Sequence, residues 1–172
     1  PTKVGTSIAD LVTGLYAVQA ILAAVLHRTR TGDSDRIDVS MLDSMASLLT
    51  FNAGMYFATG SSPVRRGNAH PTIFPYETFE AADGWINLGV ANDKFWLLFC
   101  GEIGVEGLAT DPRFDTAPRR VENRQVLRSV LEPILRRRTR CDWLSALDRV
   151  GVPCGAIKSV AEVCEAAAGR GQ

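Results

Sequence analysis

The chain opens with a long apolar run and becomes more evenly mixed in apolar and polar positions after residue 60. Residues Ile8 to His27 are rich in Ala and Leu and contain no Pro, so propensity and length predict one long helix. Apolar residues occur on nearly all sides of this helix, which predicts a helix buried between layers and not one on the surface. Thr31 to Asp35 then predicts a turn.

Two further elements are predicted before a change in composition. Arg36 to Val39 reads as a short strand, and Ser40 is a preferred N-cap for a helix that runs through Phe57. Ser61 to Gly67 is polar and rich in turn-forming residues, which marks a boundary. The predicted domains are residues 1–60 as a first unit, 61–66 as a linker, 67–166 as a small domain and 167–172 as a flexible tail.

The small domain is predicted to contain a β-hairpin and several helices. Ile73 to Glu80 and Trp85 to Ala91 have the composition of strands, and Ala81 to Gly84 between them is a hairpin signal. Asn92 and Asp93 begin a helix that carries core aromatics. Further elements are a turn at Asp111–Phe114, helices at Pro118–Arg138 and Arg140–Val150, a turn and short strand at Gly151–Gly155, and a last helix from Ser159. The fold class is therefore α/β, and α+β within these residues.

Composition narrows the classes of function. The 172 residues carry a formal net charge of zero, which gives no electrostatic basis for binding nucleic acid or an anionic membrane. The arginines from Arg136 to Arg140 stand at a helix end, where the dipole and solvation explain them. The apolar stretch Leu15 to Leu26 is shorter than the roughly twenty residues of a membrane span and contains Gln19. We therefore expect no nucleic-acid and no membrane partner.

The four cysteines, Cys100, Cys141, Cys154 and Cys164, lie far apart and form no C-x-x-C motif. This spacing argues against a zinc site and against a disulfide scaffold, so we expect no metal, free thiols and a cytoplasmic location.

Asp10 is the strongest candidate for chemistry. It lies among small residues just before the long apolar helix, where unpaired backbone N–H groups and the helix dipole favour an ionised carboxylate. From this local pattern alone, an N-cap is the favoured interpretation of Asp10, because Asp is among the preferred cap residues.

Motifs further along the chain decide between these interpretations. Together with the Asp10 turn they resemble the class III CoA-transferase family, from the first residue to about Val163. The motifs are Gly14-Leu15, Ala20 to Ala24, Arg28 to Gly32, Ile37 to Asp43, Arg66 to Pro71, Pro75-Tyr76, Ala82 to Gly84 and Gly151 to Gly155.

The resemblance implies that Asp10 is the nucleophile that carries the acyl group. A carboxylate that attacks a thioester forms a mixed anhydride, which splits one difficult exchange into two easier steps. In the family mechanism, CoA thiolate then converts the anhydride into an aspartyl-CoA thioester. The implied substrates are acyl-CoA, with coenzyme A as the group exchanged, and a small carboxylic acid, for which a dicarboxylic acid is plausible. The implied fold is part of a large CoA-binding domain followed by the small domain.

The other candidate site residues are substrate or CoA ligands. The loop Gly67, Asn68, Ala69 and His70 is a candidate source of N–H donors for an oxyanion, although relatives often have more glycines there to cover the aspartate. His70 could bind an acyl carboxylate or only a local partner.

Three residues outside this loop complete the candidate set. Tyr76 could present its hydroxyl to the pocket or bury its ring at the start of a strand. The resemblance places Met41 beside bound CoA, where it would look the same as a core residue. Asn92 is the last member of the set.

The family forms interlocked homodimers, so the same assembly is expected here. The chain begins without Met, and we read it as an interior piece of a longer protein that lacks most of the CoA site. Such a piece is expected to aggregate or to be unstable alone.

Two alternatives to CoA transfer remain open. The first is an α-methylacyl-CoA racemase of the same superfamily. Val12-Thr13-Gly14 argues against it because racemases tend to have consecutive glycines there. Asn92 also argues against it, since it stands near the position where racemases carry an additional glutamate. The second is a non-catalytic assembly module, which the intact surroundings of Asp10 make the weakest alternative.

Overall fold

A computed structural model describes residues 4–169, and the chain divides into two compact units with the boundary between Arg65 and Arg66. This boundary falls within the linker predicted over 61–66, while the assignment of the units as CoA-binding part and small domain stays a prediction. Residues 167 and 168 of the predicted tail belong to the last helix, and residues 170–172 lie outside the described residues.

The first unit is built around helix α1, Ile8–Thr31. The predicted helix is confirmed and extends four residues beyond His27, to a left-handed C-cap at Gly32 with φ of 84°. Glycine adopts this conformation without steric cost, which explains why the helix ends there.

The prediction that α1 is buried was wrong for this chain, since none of its residues is buried. Leu15 and Leu22 are 63% and 64% exposed. Within the first unit α1 packs mainly against one short helix, which is too small to cover its apolar sides.

The expectation that no segment has the length of a membrane span also needs correction. Leu15 to Leu26 is only the middle of a 24-residue helix, whose most apolar window has a mean hydropathy of 1.8. By length and composition α1 therefore passes the test for a membrane span. The core helix of a soluble protein passes the same test, so this is weak support for a membrane partner.

The exposed face of α1 predicts self-association of the 172-residue chain when it is produced alone. Leu15 and Leu22 are seven residues apart and share a helix face. Changing both to Gln removes about 3 kcal/mol of apolar burial from any contact they make, so the dissociation constant should rise about a hundredfold. Sedimentation velocity measures this, with Val160→Gln, at a residue 81% exposed in the second unit, as the control. A monomeric wild-type chain that melts cooperatively would contradict the prediction.

The predicted helix from Ser40 to Phe57 is divided into three pieces. They are α2 at Met41–Ala46, a 3₁₀ turn at Ser47–Leu49 and α3 at Thr50–Thr59. The Ser40 cap is confirmed, since its Oγ accepts a hydrogen bond from the Asp43 N–H at 3.2 Å. The Ser44 hydroxyl donates to the carbonyl four residues earlier and the Ser47 hydroxyl to the carbonyl three residues earlier. Such side-chain bonds to the backbone compete with regular helix geometry and favour a break.

The predicted strand Arg36–Val39 was wrong, and these residues are irregular. A strand needs a neighbour to satisfy its backbone groups. The described part of the first unit contains no other strand.

The second unit contains a three-stranded antiparallel sheet in the order β1-β2-β3. The strands are β1 at Tyr76–Ala81, β2 at Gly84–Gly89 and β3 at Cys154–Ala156. The predicted hairpin is confirmed, with a two-residue connection, and Tyr76 stands opposite Gly89. Gly84 has φ of 146°, and a Cβ there would lie 3.1 Å from Arg140 Nε, so the turn requires glycine.

Six helices surround this sheet among the described residues. They are α4 at Asp93–Glu102, α5 at Gly107–Thr110, α6 at Ala117–Glu122, α7 at Arg124–Leu135, α8 at Arg140–Arg149 and α9 at Val160–Ala168. The predicted helix Pro118–Arg138 is thus two helices that meet at Asn123. The core combines one face of the hairpin, with Phe79, Ile86 and Leu88, with the helices. Its largest apolar side chains are Trp96, Trp143, Phe74, Phe79, Phe99 and Phe114. The α+β class is confirmed.

Three of the four arginines from Arg136 to Arg140 make ion pairs among the described residues. Arg136 pairs with Glu80 at 2.6 Å, and Arg140 pairs with Glu162 at 2.8 Å. These contacts tie α7 to β1 and α8 to α9, so the arginines have structural partners in addition to the solvation that the sequence predicted.

Candidate active site

Asp10 lies in the first turn of α1, as the third residue of the helix. The N-cap is Ser7, so the interpretation of Asp10 as the cap was wrong by three residues. The side chain is exposed, and among the described residues no donor or cation contacts it. Asp10 is therefore a free carboxylate that no local structural role consumes.

Thr13, one turn after Asp10, shows an anomaly that the sequence did not reveal. Its hydroxyl is buried without a hydrogen-bond partner among residues 4–169. By contrast, the hydroxyls of Thr29 and Thr59 donate to the carbonyl four residues earlier. The turn that carries Asp10 thus also contains an unused hydroxyl.

Met41 is the first residue of α2 and is 49% exposed. A core residue would be buried, so in this chain Met41 is not core. Its side chain is available for contact with a ligand or another part of the protein.

The loop that begins at Gly67 runs along the outer edge of β1. Because β1 pairs only with β2, alternate backbone groups of β1 point away from the sheet. The His70 N–H donates to the Tyr76 carbonyl at 3.0 Å, and the Thr78 N–H donates to Asn68 Oδ1 at 2.7 Å. Gly67, at the start of the loop, has a positive φ of 62°. The loop therefore covers a sheet edge.

Asn68 uses both ends of its amide in this arrangement. Besides accepting from Thr78, it donates from Nδ2 to Asn87 Oδ1 at 3.3 Å. This structural use was not expected from the sequence. The Ala69 and His70 N–H groups are also used, since they donate to the carbonyls of Arg66 and Tyr76.

His70 is half-buried at the end of this loop, and its ring centroid lies 5.2 Å from that of Tyr76. Its Nδ1 accepts a hydrogen bond from the Thr72 N–H at 3.2 Å. Burial, followed by the nearby Arg124 guanidinium, lowers the pKa of His70. The imidazole is therefore neutral at neutral pH, and with Nδ1 as acceptor its proton is on Nε2.

Tyr76 and Asn92 are placed by the local structure. Tyr76 begins β1 as predicted, but its ring is 37% exposed and not fully buried. The Asn92 Oδ1 accepts from the Phe95 N–H at 2.9 Å and caps α4. The structure thus brings Asn68, His70 and Tyr76 together, gives Asn92 a capping role, and leaves their contacts with substrate as predictions.

Among the described residues no cluster of three or more His, Cys, Asp or Glu side chains could hold a metal ion. Burial raises the pKa of Cys100 to about 12, so this thiol stays protonated.

The sequence did not reveal the role of two arginines. Arg120 is fully buried, and Arg124 contacts the His70 loop. Arg124 lies on the N-terminal continuation of the apolar stripe that Leu127 and Leu131 form on α7, whereas Arg120 lies on the preceding helix, α6. An arginine where the stripe predicts an apolar residue is the signal that could have identified Arg124.

Comparison with known proteins identifies the family. The profile described as CoA-transferase family III matches residues 1–170. The chain belongs to this family. The resemblance inferred from the motifs is thereby confirmed.

Individual relatives agree with this assignment. The chain is 36% identical over 163 residues to the succinate–glutarate CoA-transferase of Agrobacterium fabrum, covering 95% of this chain and 41% of that protein. It is 38% identical over 163 residues to the acetyl-CoA:oxalate CoA-transferase of Acetobacter aceti, covering 94% and 42%. A crystal structure of a CAIB/BAIF family protein from Brucella suis is 42% identical, with a TM-score of 0.76, covering 96% and 44%. The chain thus spans about two-fifths of the length of these relatives.

Proposed function

We propose that the protein is a CoA-transferase in which Asp10 carries the acyl group between an acyl-CoA and a small carboxylic acid. The observation that carries this proposal is the exposed, unpaired carboxylate in the first turn of α1. Membership of CoA-transferase family III supports it. The acids in the names of the relatives, succinate, glutarate and oxalate, favour a dicarboxylic acid as one substrate.

The proposed reaction begins with Asp10. Its Oδ attacks the carbonyl carbon of the acyl-CoA, the C–S bond breaks, and the products are a mixed anhydride and CoA thiolate. The thiolate then attacks the Asp10 carbonyl of the anhydride, which releases the first acid and leaves an aspartyl-CoA thioester. The second acid attacks this thioester to form a new anhydride and thiolate. Thiolate attack on the new acyl carbon gives the product thioester and restores Asp10.

We assign the loop from Gly67 to His70 to binding the substrate carboxylate. A neutral imidazole protonated on Nε2 can donate a hydrogen bond to a carboxylate without forming an ion pair that would hold the acid too tightly for release. Met41, Tyr76 and Asn92 remain proposed ligands of acyl-CoA. A cytoplasmic, interlocked homodimer is the proposed assembly and location.

Chemical trapping tests the proposed function. The whole protein is incubated with succinyl-, glutaryl-, oxalyl- and acetyl-CoA and quenched with hydroxylamine, and the modified residue is mapped by mass spectrometry. We expect a hydroxamate on Asp10 with at least one of these thioesters. Asp43 is an internal control, because it occupies the same position in the first turn of α2 after a serine N-cap.

The outcomes separate the alternatives. Equal labelling of Asp43 and Asp10 would mean non-specific acylation and would overturn the proposal. An unlabelled Asp10 combined with deuterium exchange at the α-carbon would indicate the racemase reaction.

A further inference from the structure

The loop of residues 67–73, here the His70 loop, is held from two sides. On one side the edge of β1 bonds to it through Asn68 and the His70 N–H. The loop has one glycine, Gly67, and contains Pro71. These bonds and this composition describe a fixed segment and not a mobile lid.

Arg124 holds the other side of the His70 loop. From the first position of α7, its Nη2 donates to the carbonyl of His70 and, at 3.2 Å, to the carbonyl of Ile73. The guanidinium carbon lies 5.3 Å from the centroid of the Phe74 ring. One guanidinium nitrogen therefore joins two carbonyls of the loop to the helix, while the planar group lies over the Phe74 ring, a contact that the compact ammonium of lysine does not reproduce.

Packing alone does not account for Arg124. Its Nε is buried without a hydrogen-bond partner among residues 4–169, and an unpaired buried donor is unfavourable. Arg128, one turn later on α7, packs equally well over the Phe79 ring at 5.1 Å. Arg128 donates to the carboxylates of Glu77 and Glu132, while Arg124 donates to loop carbonyls.

We infer that Arg124 is a positioning residue that fixes the His70 loop in the conformation that binds the substrate carboxylate, an inference that rests on the proposed function. The bonds to the carbonyls of His70 and Ile73 fix the backbone between them, and with it the direction of the imidazole. Burial, followed by the charge of Arg124, lowers the pKa of the ring. Catalysis in this protein then uses a loop arranged before the substrate arrives.

Variants of the two α7 arginines test this inference in the whole protein. Arg124→Gln removes the guanidinium, Arg124→Lys keeps the charge, and Arg128→Gln is the matched control on the same helix. We expect Arg124→Gln to raise KM for the acid on the order of tenfold or more relative to Arg128→Gln, since misplaced binding groups are costly. Amide hydrogen exchange within residues 67–73 should accelerate in the same variant. The KM of Arg124→Lys should lie between those of the wild-type protein and Arg124→Gln.

The results distinguish the inference from the proposed function. Equal KM values and equal loop exchange in Arg124→Gln and Arg128→Gln would overturn the inference. If Arg124→Gln does not fold, Arg124→Lys carries the comparison, and a wild-type KM with unchanged loop exchange in that variant would also overturn it. Failure to label Asp10 in the wild-type protein would instead overturn the proposed function. If Asp10 of the wild-type protein is labelled, the comparison of the Arg124 variants tests the inference alone.

Discussion

Changing Asp10 to Asn should abolish CoA transfer, with a loss of about 10⁴-fold or more, which is the scale seen when a covalent nucleophile is removed. The Asn amide has nearly the shape of the carboxylate but cannot form an anhydride with the acyl group. Because Asp10 is exposed and unpaired among the described residues, the variant should fold normally. Steady-state transfer rates and hydroxylamine trapping of the variant both check this result.

Asp43→Asn is the matched control for this experiment. Asp43 is also the third residue of a helix that follows a serine N-cap, so the same change of charge is made in the same backbone setting. Its variant should keep transfer within about threefold of wild type, since exposed substitutions of this kind change stability by only about 0.5 kcal/mol. An Asp10→Asn protein that retains transfer, after freshly made protein has excluded deamidation, would remove Asp10 from the mechanism. Asp10→Ala provides the version that cannot deamidate.

Elements determined by local sequence were predicted well. The long run without Pro became α1, the small residues between two apolar segments became the β-hairpin, and the capping side chains of Ser40, Asn92 and Ser159 all begin helices. Each of these depends on residues within about four positions, which is the range that sequence periodicity and capping preferences describe.

Features that depend on distant parts of the chain were not predictable. The burial of α1 depends on what covers it, and the strand Arg36–Val39 failed because the described part of its unit offers no second strand. The helix begins three residues earlier than a cap at Asp10 would require, and sequence locates helix ends only to within a few residues. The hold of Arg124 on His70 joins residues 54 positions apart, and nothing local to either residue indicates it.

The candidate site was predictable in its chemistry and less so in its geometry. Asp10 followed from its turn and the family motifs, and it is free in the structure as a nucleophile must be. Asn68 and Asn92 were chosen for binding, but the structure uses their amides to cover a sheet edge and to cap a helix. Polar side chains in loops satisfy backbone groups at least as often as they face ligands.

Arg120 is expected to be the most important polar residue for the stability of the second unit. Its guanidinium is fully buried, and it donates to the Phe74 carbonyl at 3.1 Å, the Phe114 carbonyl at 3.0 Å and Asp93 Oδ1 at 2.7 Å. Arg120→Met keeps much of the volume but leaves two buried carbonyls without their donors. We expect a loss of about 3–5 kcal/mol in the free energy of unfolding, as for other buried polar partners that are removed singly.

Asp93→Asn separates the contribution of the carbonyl bonds from that of the ion pair. The Asp93 side chain is 58% exposed, so water already screens its charge, and an Asn oxygen can still accept the bond from Arg120. This variant should lose only about 1 kcal/mol. Urea unfolding followed by tryptophan fluorescence measures both changes, because all three tryptophans, Trp85, Trp96 and Trp143, lie in the second unit. Equal losses in the two variants would mean that the charge of Asp93, and not the buried carbonyls, makes Arg120 necessary. A much larger loss in Arg120→Met would show that the buried guanidinium stabilises the unit as a hydrogen-bond donor to the backbone. Its two bonds join Phe74, which precedes β1, to the loop that carries Phe114.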